Sequence, residues 1–138
     1  MGLYNFKKQF EAPILAGAKR HTIRAERAHC DKPGDMMHLY TGLRQRGAKL
    51  LFRAPCVRVE DVSIEGGWDG VSGDFLGEVR VNGIRLDCDE LEQLAKCDGF
   101  DSHAEMMEFW RGRLPFTGKI FHWDFARRWG MQAEAINA

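Results

Sequence analysis

No stretch of this chain approaches the roughly 18–20 consecutive apolar residues of a membrane-spanning helix, so none is expected to cross a bilayer. The run Met1-Gly2-Leu3-Tyr4-Asn5-Phe6-Lys7-Lys8 contains no signal-peptide apolar core, and Phe6 occupies the Ser/Thr position of a myristoylation motif. A cytoplasmic location is the resulting expectation. The four cysteines (Cys30, Cys56, Cys88, Cys97) form no C-x-x-C pair, which in a cytosolic chain points to reduced, structural thiols. Clustered Cys/His ligands are also missing; the only adjacency is His29-Cys30, so neither a metal nor a cofactor is expected. Internal repeats, low-complexity segments and βα alternation are absent.

Net charge is absent as well: 20 Lys/Arg face 20 Asp/Glu. The balance hides an asymmetry. Residues 1–60 carry 12 basic against 5 acidic side chains, residues 61–109 carry 3 against 13, and residues 110–138 carry 5 against 2. A basic first half suits a polyanion or nucleotide partner, and it equally suits attraction between two halves of one fold. At 138 residues, 44% apolar and 29% charged, the chain reads as one globular domain that buries about two thirds of its unfolded surface.

Leu3 to Phe6 can open a strand, after which Phe10, Ile14 and Leu15 recur at helical spacing and Gly17 stands where a helix would stop. His21 to Arg24 reads as a short strand, with Thr22 and Arg24 on one face and His21 and Ile23 on the other. Lys32-Pro33-Gly34-Asp35 signals a turn before a strand from Met36 to Tyr40. Leu50 to Ile64 is a long β-prone run that Pro55 and Glu60-Asp61 mark for a bulge or break. The glycine-rich stretch 66–74 reads as a mobile loop with Trp68 as its lid or plug, and Asn82-Gly83 turns a hairpin over 79–86. Asp87 with Glu90, and Ser102 with Glu105, read as capping boxes of two helices; Met106, Phe109 and Trp110 share a core face of the second. A last strand runs from Lys119 to Phe125, and residues 126–138 form a helix-prone or frayed tail. About six strands and three helices without alternation make an α+β fold whose sheet closes on itself.

The most informative residues are the octet Gly17-Ala18-Lys19-Arg20-His21-Thr22-Ile23-Arg24, which sets a lysine, a hydroxyl and an arginine at i, i+3 and i+5. Lysine beside a hydroxyl can run nucleophilic catalysis without a histidine or a metal, and the same cluster can grip a phosphate. Gly17-x-Lys19-x-x-Thr22-x-Arg24 resembles the G-x-K-x-x-[E/T]-x-R signature of the ASCH domains, small β-barrels related to the PUA fold. Lys32-Pro33-Gly34-Asp35, Leu94-Ala95-x-x-Asp98-Gly99-Phe100 and Gly118-x-Ile120-x-x-Trp123 follow in that family's order, and the resemblance covers roughly residues 4–125. It implies a single PUA-like barrel over 1–125.

Threonine in the sixth position of the octet is similar to the branch of the family that deacylates N4-acetylcytidine. In that branch the lysine and threonine act with an acidic residue, which the flanking pattern puts on Asp98; the branch itself has glutamate there. Acyl transfer needs a nucleophile, a base, an oxyanion donor and an acid for the leaving amine. Thr22 is the candidate nucleophile. Either neutral Lys19 activates it, which requires a pKa fall from about 10.4 to near 7 at roughly 4–5 kcal/mol, or Asp98 is the base and charged Lys19 steadies the oxyanion. Arg24 is expected to orient a carbonyl or phosphate, Arg20 to add positive charge, and Phe6 with Tyr40 to stack a pyrimidine. The expected substrate is a modified cytidine nucleoside. The alternative is an RNA-binding module, with or without single-stranded ribonuclease activity, that uses the octet with Lys32, Arg44, Arg46, Lys49, Arg53 and Arg58.

Overall fold

The computed structural model describes residues 2–26, 31–43 and 46–130. Among them, seven strands and three α-helices follow one another as β1 (Gly2–Phe6), α1 (Glu11–Ala16), β2 (His21–Ala25), β3 (Met36–Thr41), β4 (Lys49–Trp68), β5 (Phe75–Val81), β6 (Ile84–Arg85), α2 (Cys88–Cys97), α3 (His103–Trp110) and β7 (Phe116–Trp123), with short 3-10 turns at Lys8–Phe10 and Phe125–Arg127. This is an α+β arrangement, and β4 organises it.

The first part of β4 pairs antiparallel with β3, from Met36↔Pro55 to Thr41↔Lys49, and β3 takes β1 in parallel on its other side. The second part pairs with β7 from Cys56↔Trp123 to Ile64↔Phe116 and with β5 from Val62↔Val81 to Trp68↔Phe75. Pro55 has no N–H to give a ladder, and the register shifts just after it, between Cys56 and Arg58. The expected break is therefore a bulge inside one continuous 20-residue strand. β2 joins through β7, from His21↔His122 to Ala25↔Gly118.

The sheet is open. Among the described residues no backbone ladder joins β1 to β2, so the expected closed barrel of about six strands is observed as an open sheet of seven. Side chains span the gap instead: Arg24 Nη2 donates to the Asn5 carbonyl at 2.8 Å, and its guanidinium lies 5.6 and 5.0 Å from the Tyr4 and Phe6 ring centroids. One hydrophobic core runs beneath, built from alternate positions of β1, β3 and β4 (Tyr4, Phe6, Met37, Leu39, Phe52, Ala54) and capped by Met106, Met107 and Trp110 of α3.

Local signals translate directly. Asn82 and Gly83 both adopt positive φ (51° and 80°), the geometry of the two-residue turn that joins β5 to β6. Asp87 and Glu90 form a complete capping box on α2, whereas the box expected on α3 forms only in half: Ser102 Oγ accepts from the Glu105 N–H. Two expectations need correction. The glycine-rich stretch is the end of β4 and a turn closed by Asp69 N–H to the Asp74 carbonyl (2.8 Å); Trp68 packs against Phe75 and under Arg111, as a plug. The stretch after Phe125 is held too: Trp129 exchanges both backbone hydrogen bonds with Arg53 at 2.8 and 2.9 Å, while residues 131–138 lie outside the described residues. No helix among the described residues is long and apolar enough to cross a membrane.

Gly118 fixes how closely β2 and β7 approach, because a Cβ there would run into the Arg24 carbonyl oxygen and the Phe116 ring. Gly118→Ala should lower stability by about 1–3 kcal/mol, the usual cost of overpacking, measured as an earlier urea midpoint at unchanged slope.

Candidate active site

The site forms where the octet meets the end of α2. α1 stops at Gly17, whose φ of 83° is left-handed, and the chain doubles back so that Lys19 N–H donates to the Pro13 carbonyl and Arg20 N–H to the Cys97 carbonyl. α2 ends on Asp98, followed by Gly99 at φ 95°. A Cβ on Gly99 would sit 3.0 Å from Lys19 Cδ and 3.1 Å from Phe10 Cδ1, so glycine serves both the turn and the passage of the lysine stem.

Residues 79 apart in sequence thereby touch: Lys19 Nζ donates to the Asp98 carbonyl at 2.6 Å and to Asp98 Oδ1 at 3.0 Å. The Phe10 and Phe6 rings flank Nζ at 4.9 and 5.5 Å. Lys19, Thr22 and Asp98 are 3%, 4% and 5% exposed. Burial pulls the Lys19 pKa down from its ordinary value; the Asp98 carboxylate pulls it back up, and Arg24 lowers it further. Burial likewise pushes the Asp98 pKa up, against the opposing pull of Lys19 and Arg24. Both shifts bring the neutral forms of the pair closer.

Thr22 and Arg24 share a face of β2, as the alternation predicts, and Arg24 Nε donates to Thr22 Oγ1 at 2.9 Å. The threonine oxygen is thus held from one side. Among the described residues no hydrogen bond joins it to Lys19. Lys19, Thr22, Arg24, Asp98 and Phe6 line one cavity of about 390 Å³, within the usual range of small-molecule sites.

Two expected site residues lie elsewhere. Arg20 precedes β2, folds back to donate from Nε to the Gly17 carbonyl at 2.7 Å, and borders a depression on the other side. Tyr40 falls on the wrong parity of β3: Met37, Leu39 and Thr41 point into the core, so the half-buried Tyr40 faces away from the cavity. The aromatic wall consists instead of Phe6, Phe10, Phe100, Phe109, Trp110 and Phe116. Helical spacing had marked Phe109 and Trp110 as core, and no local signal distinguishes a core face from a cavity wall.

The basic residues separate into groups. Arg46 and Lys49, with Lys7 and Lys8, line a groove of about 880 Å³ that shares Asn5, Phe6 and Lys7 with the cavity. Lys49 pairs with Glu11, Arg53 is bound to His38 and stacked on Trp129, and Arg58 lies beside Glu60 on another part of β4. Arg44 lies outside the described residues, as do His29 and Cys30. Cys56, Cys88 and Cys97 are free thiols, with Cys56 pushed up to about 11 mainly by burial. Among the described residues no three His, Cys, Asp or Glu side chains are grouped to hold a metal.

No protein-family model matches this chain, no curated protein matches its sequence, and no solved structure matches its fold. The chemistry of the cavity carries the functional argument.

His21, on the opposite face of β2 from Thr22, escaped the sequence reading. It is 2% exposed, and its Nε2 has no hydrogen bond although Asp98 Oδ1 is 3.4 Å away. Its ring meets that of His122 edge-on at 5.0 Å, and His122 Nε2 contacts Glu60 Oε1 at 2.6 Å. Burial first, then the charge of Lys19, holds the His21 pKa well below the ordinary 6.5; burial also lowers His122 and His38.

These shifts set a pH dependence. The unfolded chain protonates its histidines near 6.5 while the folded chain does not, so the unfolded state binds more protons as the pH falls below 6.5. Folding stability should therefore drop as the pH falls from about 7 toward 5, with His21, the histidine held furthest below its ordinary pKa, a main contributor. The raised Asp98 pKa has the opposite sign and moderates the drop. Urea midpoints across this range measure it. The ion pair makes a second prediction: Lys19→Met, which leaves Asp98 buried without its cation, should cost about 3–5 kcal/mol. Lys19→Met with Asp98→Asn should recover much of that loss in the same denaturation experiment.

Proposed function

We propose that the chain is an amidohydrolase that removes the N4-acyl group from N4-acetylcytidine or related acylated cytosine nucleosides, as its resemblance to the ASCH domains implies. One observation carries the reading: Lys19 and Thr22 of the octet and the distant Asp98 line a single aromatic-walled cavity. Stacking on such walls contributes roughly 1–3 kcal/mol per base.

In this mechanism Thr22 Oγ attacks the acyl carbonyl and gives up its proton. The Oγ–C bond forms, the C–N4 bond breaks with a proton delivered to N4, and cytidine leaves. Water then attacks the acyl-threonine and releases the carboxylic acid, restoring the hydroxyl. Arg24 Nε on Oγ1 fixes the nucleophile's direction and leaves its O–H free to be taken. With Lys19 as the base, burial shifts its pKa in the favourable direction, downward, against the pull of the Asp98 carboxylate. Asp98, whose pKa burial raises, serves as the acid for the leaving amine. A rotation of Thr22, or a bridging water, completes the approach to Nζ, since catalytic hydrogen bonds often tighten only with substrate bound.

The second reading rests on the basic groove. Its junction with the cavity at Asn5, Phe6 and Lys7 would let a bound polyanion deliver a base to the aromatic walls, as expected of an RNA-binding module with or without single-strand cleavage. Incubation with N4-acetylcytidine, with cytidine release followed by chromatography, separates the two. Turnover should fall at least about 100-fold in Lys19→Ala and Thr22→Ala and change little between about 50 and 200 mM salt, where phosphate-driven binding collapses. Absence of turnover together with salt-sensitive RNA binding would replace the hydrolase with the RNA module.

A further inference from the structure

We propose that His21 is a positioning residue that holds Asp98 while Lys19 leaves it. This inference rests on the hydrolase reading for its kinetic consequence, and on geometry alone for the pairing itself.

Asp98 Oδ1 is approached from two sides. Lys19 Nζ stands at 3.0 Å from the cavity side, and His21 Nε2 at 3.4 Å from beneath the strand. Only the first is a hydrogen bond. His21 Nε2 is consequently an orphan: buried, without a hydrogen bond, and 3.4 Å from a carboxylate oxygen toward which its N–H is not directed. Native interiors rarely leave such an atom unpaired, and an orphan beside an acceptor of complementary chemistry requires a reason.

Catalysis supplies one. A lysine that accepts the Thr22 proton must direct its nitrogen at the nucleophile, which loosens its bond to Asp98 Oδ1. Asp98, buried at the end of α2, would then lose its donor in a dry site. His21 Nε2–H, 3.4 Å from the same oxygen and not yet bonded to it, turns to take it over as Lys19 swings away. The carboxyl group keeps its place, and Lys19 finds it again when the proton is returned. No covalent bond changes; one hydrogen bond replaces another.

The surroundings of His21 suit this role. Its imidazole is kept neutral by burial and by the charges of Lys19 and Arg58, so it can donate through Nε2 without adding a cation to the site. Its ring is braced edge-on by His122, which is itself anchored to Glu60, with Arg58 beside that carboxylate. β2 and β7 fix the two histidines as direct register partners. The alternation that points Thr22 at the substrate points His21 at the back of the acid.

The test has two arms. In 15N-histidine-labelled protein, His21 should be the Nε2–H tautomer at neutral pH. In Lys19→Met its Nε2–H proton should move downfield as the bond to Asp98 closes. An Nδ1–H tautomer, or a resonance indifferent to the loss of Lys19, would overturn the proposal whether or not the chain turns over N4-acetylcytidine. The kinetic arm compares His21→Leu with His21→Gln, whose amide places a donor near the same point. His21→Leu should lower kcat by up to about 100-fold, the scale of a misplaced catalytic group, with KM unchanged, and His21→Gln should retain most of the rate. Wild-type kcat in His21→Leu, or equal losses in both variants, would also overturn it. A wild-type chain inactive on N4-acetylcytidine that nonetheless shows the predicted resonances would sink the hydrolase reading alone.

Discussion

The buried contact between Lys19 and Asp98 is the constraint to which the rest of the site is fitted. It ties the strand side of the fold to the end of α2 with two hydrogen bonds from one ammonium. It also concentrates two opposing demands. The low-polarity surroundings favour neutral forms of both groups, while their mutual attraction favours the ions. The glycine at position 99, the rings of Phe6 and Phe10 and the doubled-back chain after Gly17 all exist at the geometry this contact needs.

β4 makes that geometry possible from a distance. One continuous strand serves β3 at one end and β5 and β7 at the other, with its bulge after Pro55 taking up the change of partner. Through β7 it fixes β2, and through β2 it divides labour between two faces. Thr22 and Arg24 face the cavity, and His21 faces the buried interior behind it. A slip of one residue between β2 and β7 would exchange those faces and dismantle the site.

What could be read from the sequence was the local chemistry. The Asn82-Gly83 turn, the capping box of α2 and the shared face of Thr22 and Arg24 each depend on residues within a few positions of one another, and each appears in the structure. Distant relations were harder. Asp98 was singled out by a resemblance and by no pattern in its own neighbourhood. Tyr40 was assigned to the cavity by residue type, and the parity of β3 turned it away. Phe109 and Trp110 lie where a helix buries its apolar stripe, and only the gap left above them makes them a wall. The closed sheet failed as an expectation because pairing between β1 and β2 is decided by edge geometry, to which composition and periodicity are blind. The alternation of β2 places His21 on the face opposite Thr22, where the structure has it; its orphaned nitrogen is a property of what lies opposite.

The gap between β1 and β2 has a consequence for what the cavity can admit. Elsewhere the strands are laced together by main-chain ladders, and widening any such pair breaks several bonds at once. Here Arg24 spans the gap, through its stacking on two rings and its reach to the Asn5 carbonyl, beside residues that line the cavity. Arg24 behaves as a latch, and a latch can be lifted without undoing the door. The seam lies next to Thr22, whose hydroxyl oxygen Arg24 holds. Under the hydrolase proposal, the bulk of the acyl group is the substrate property this seam would govern.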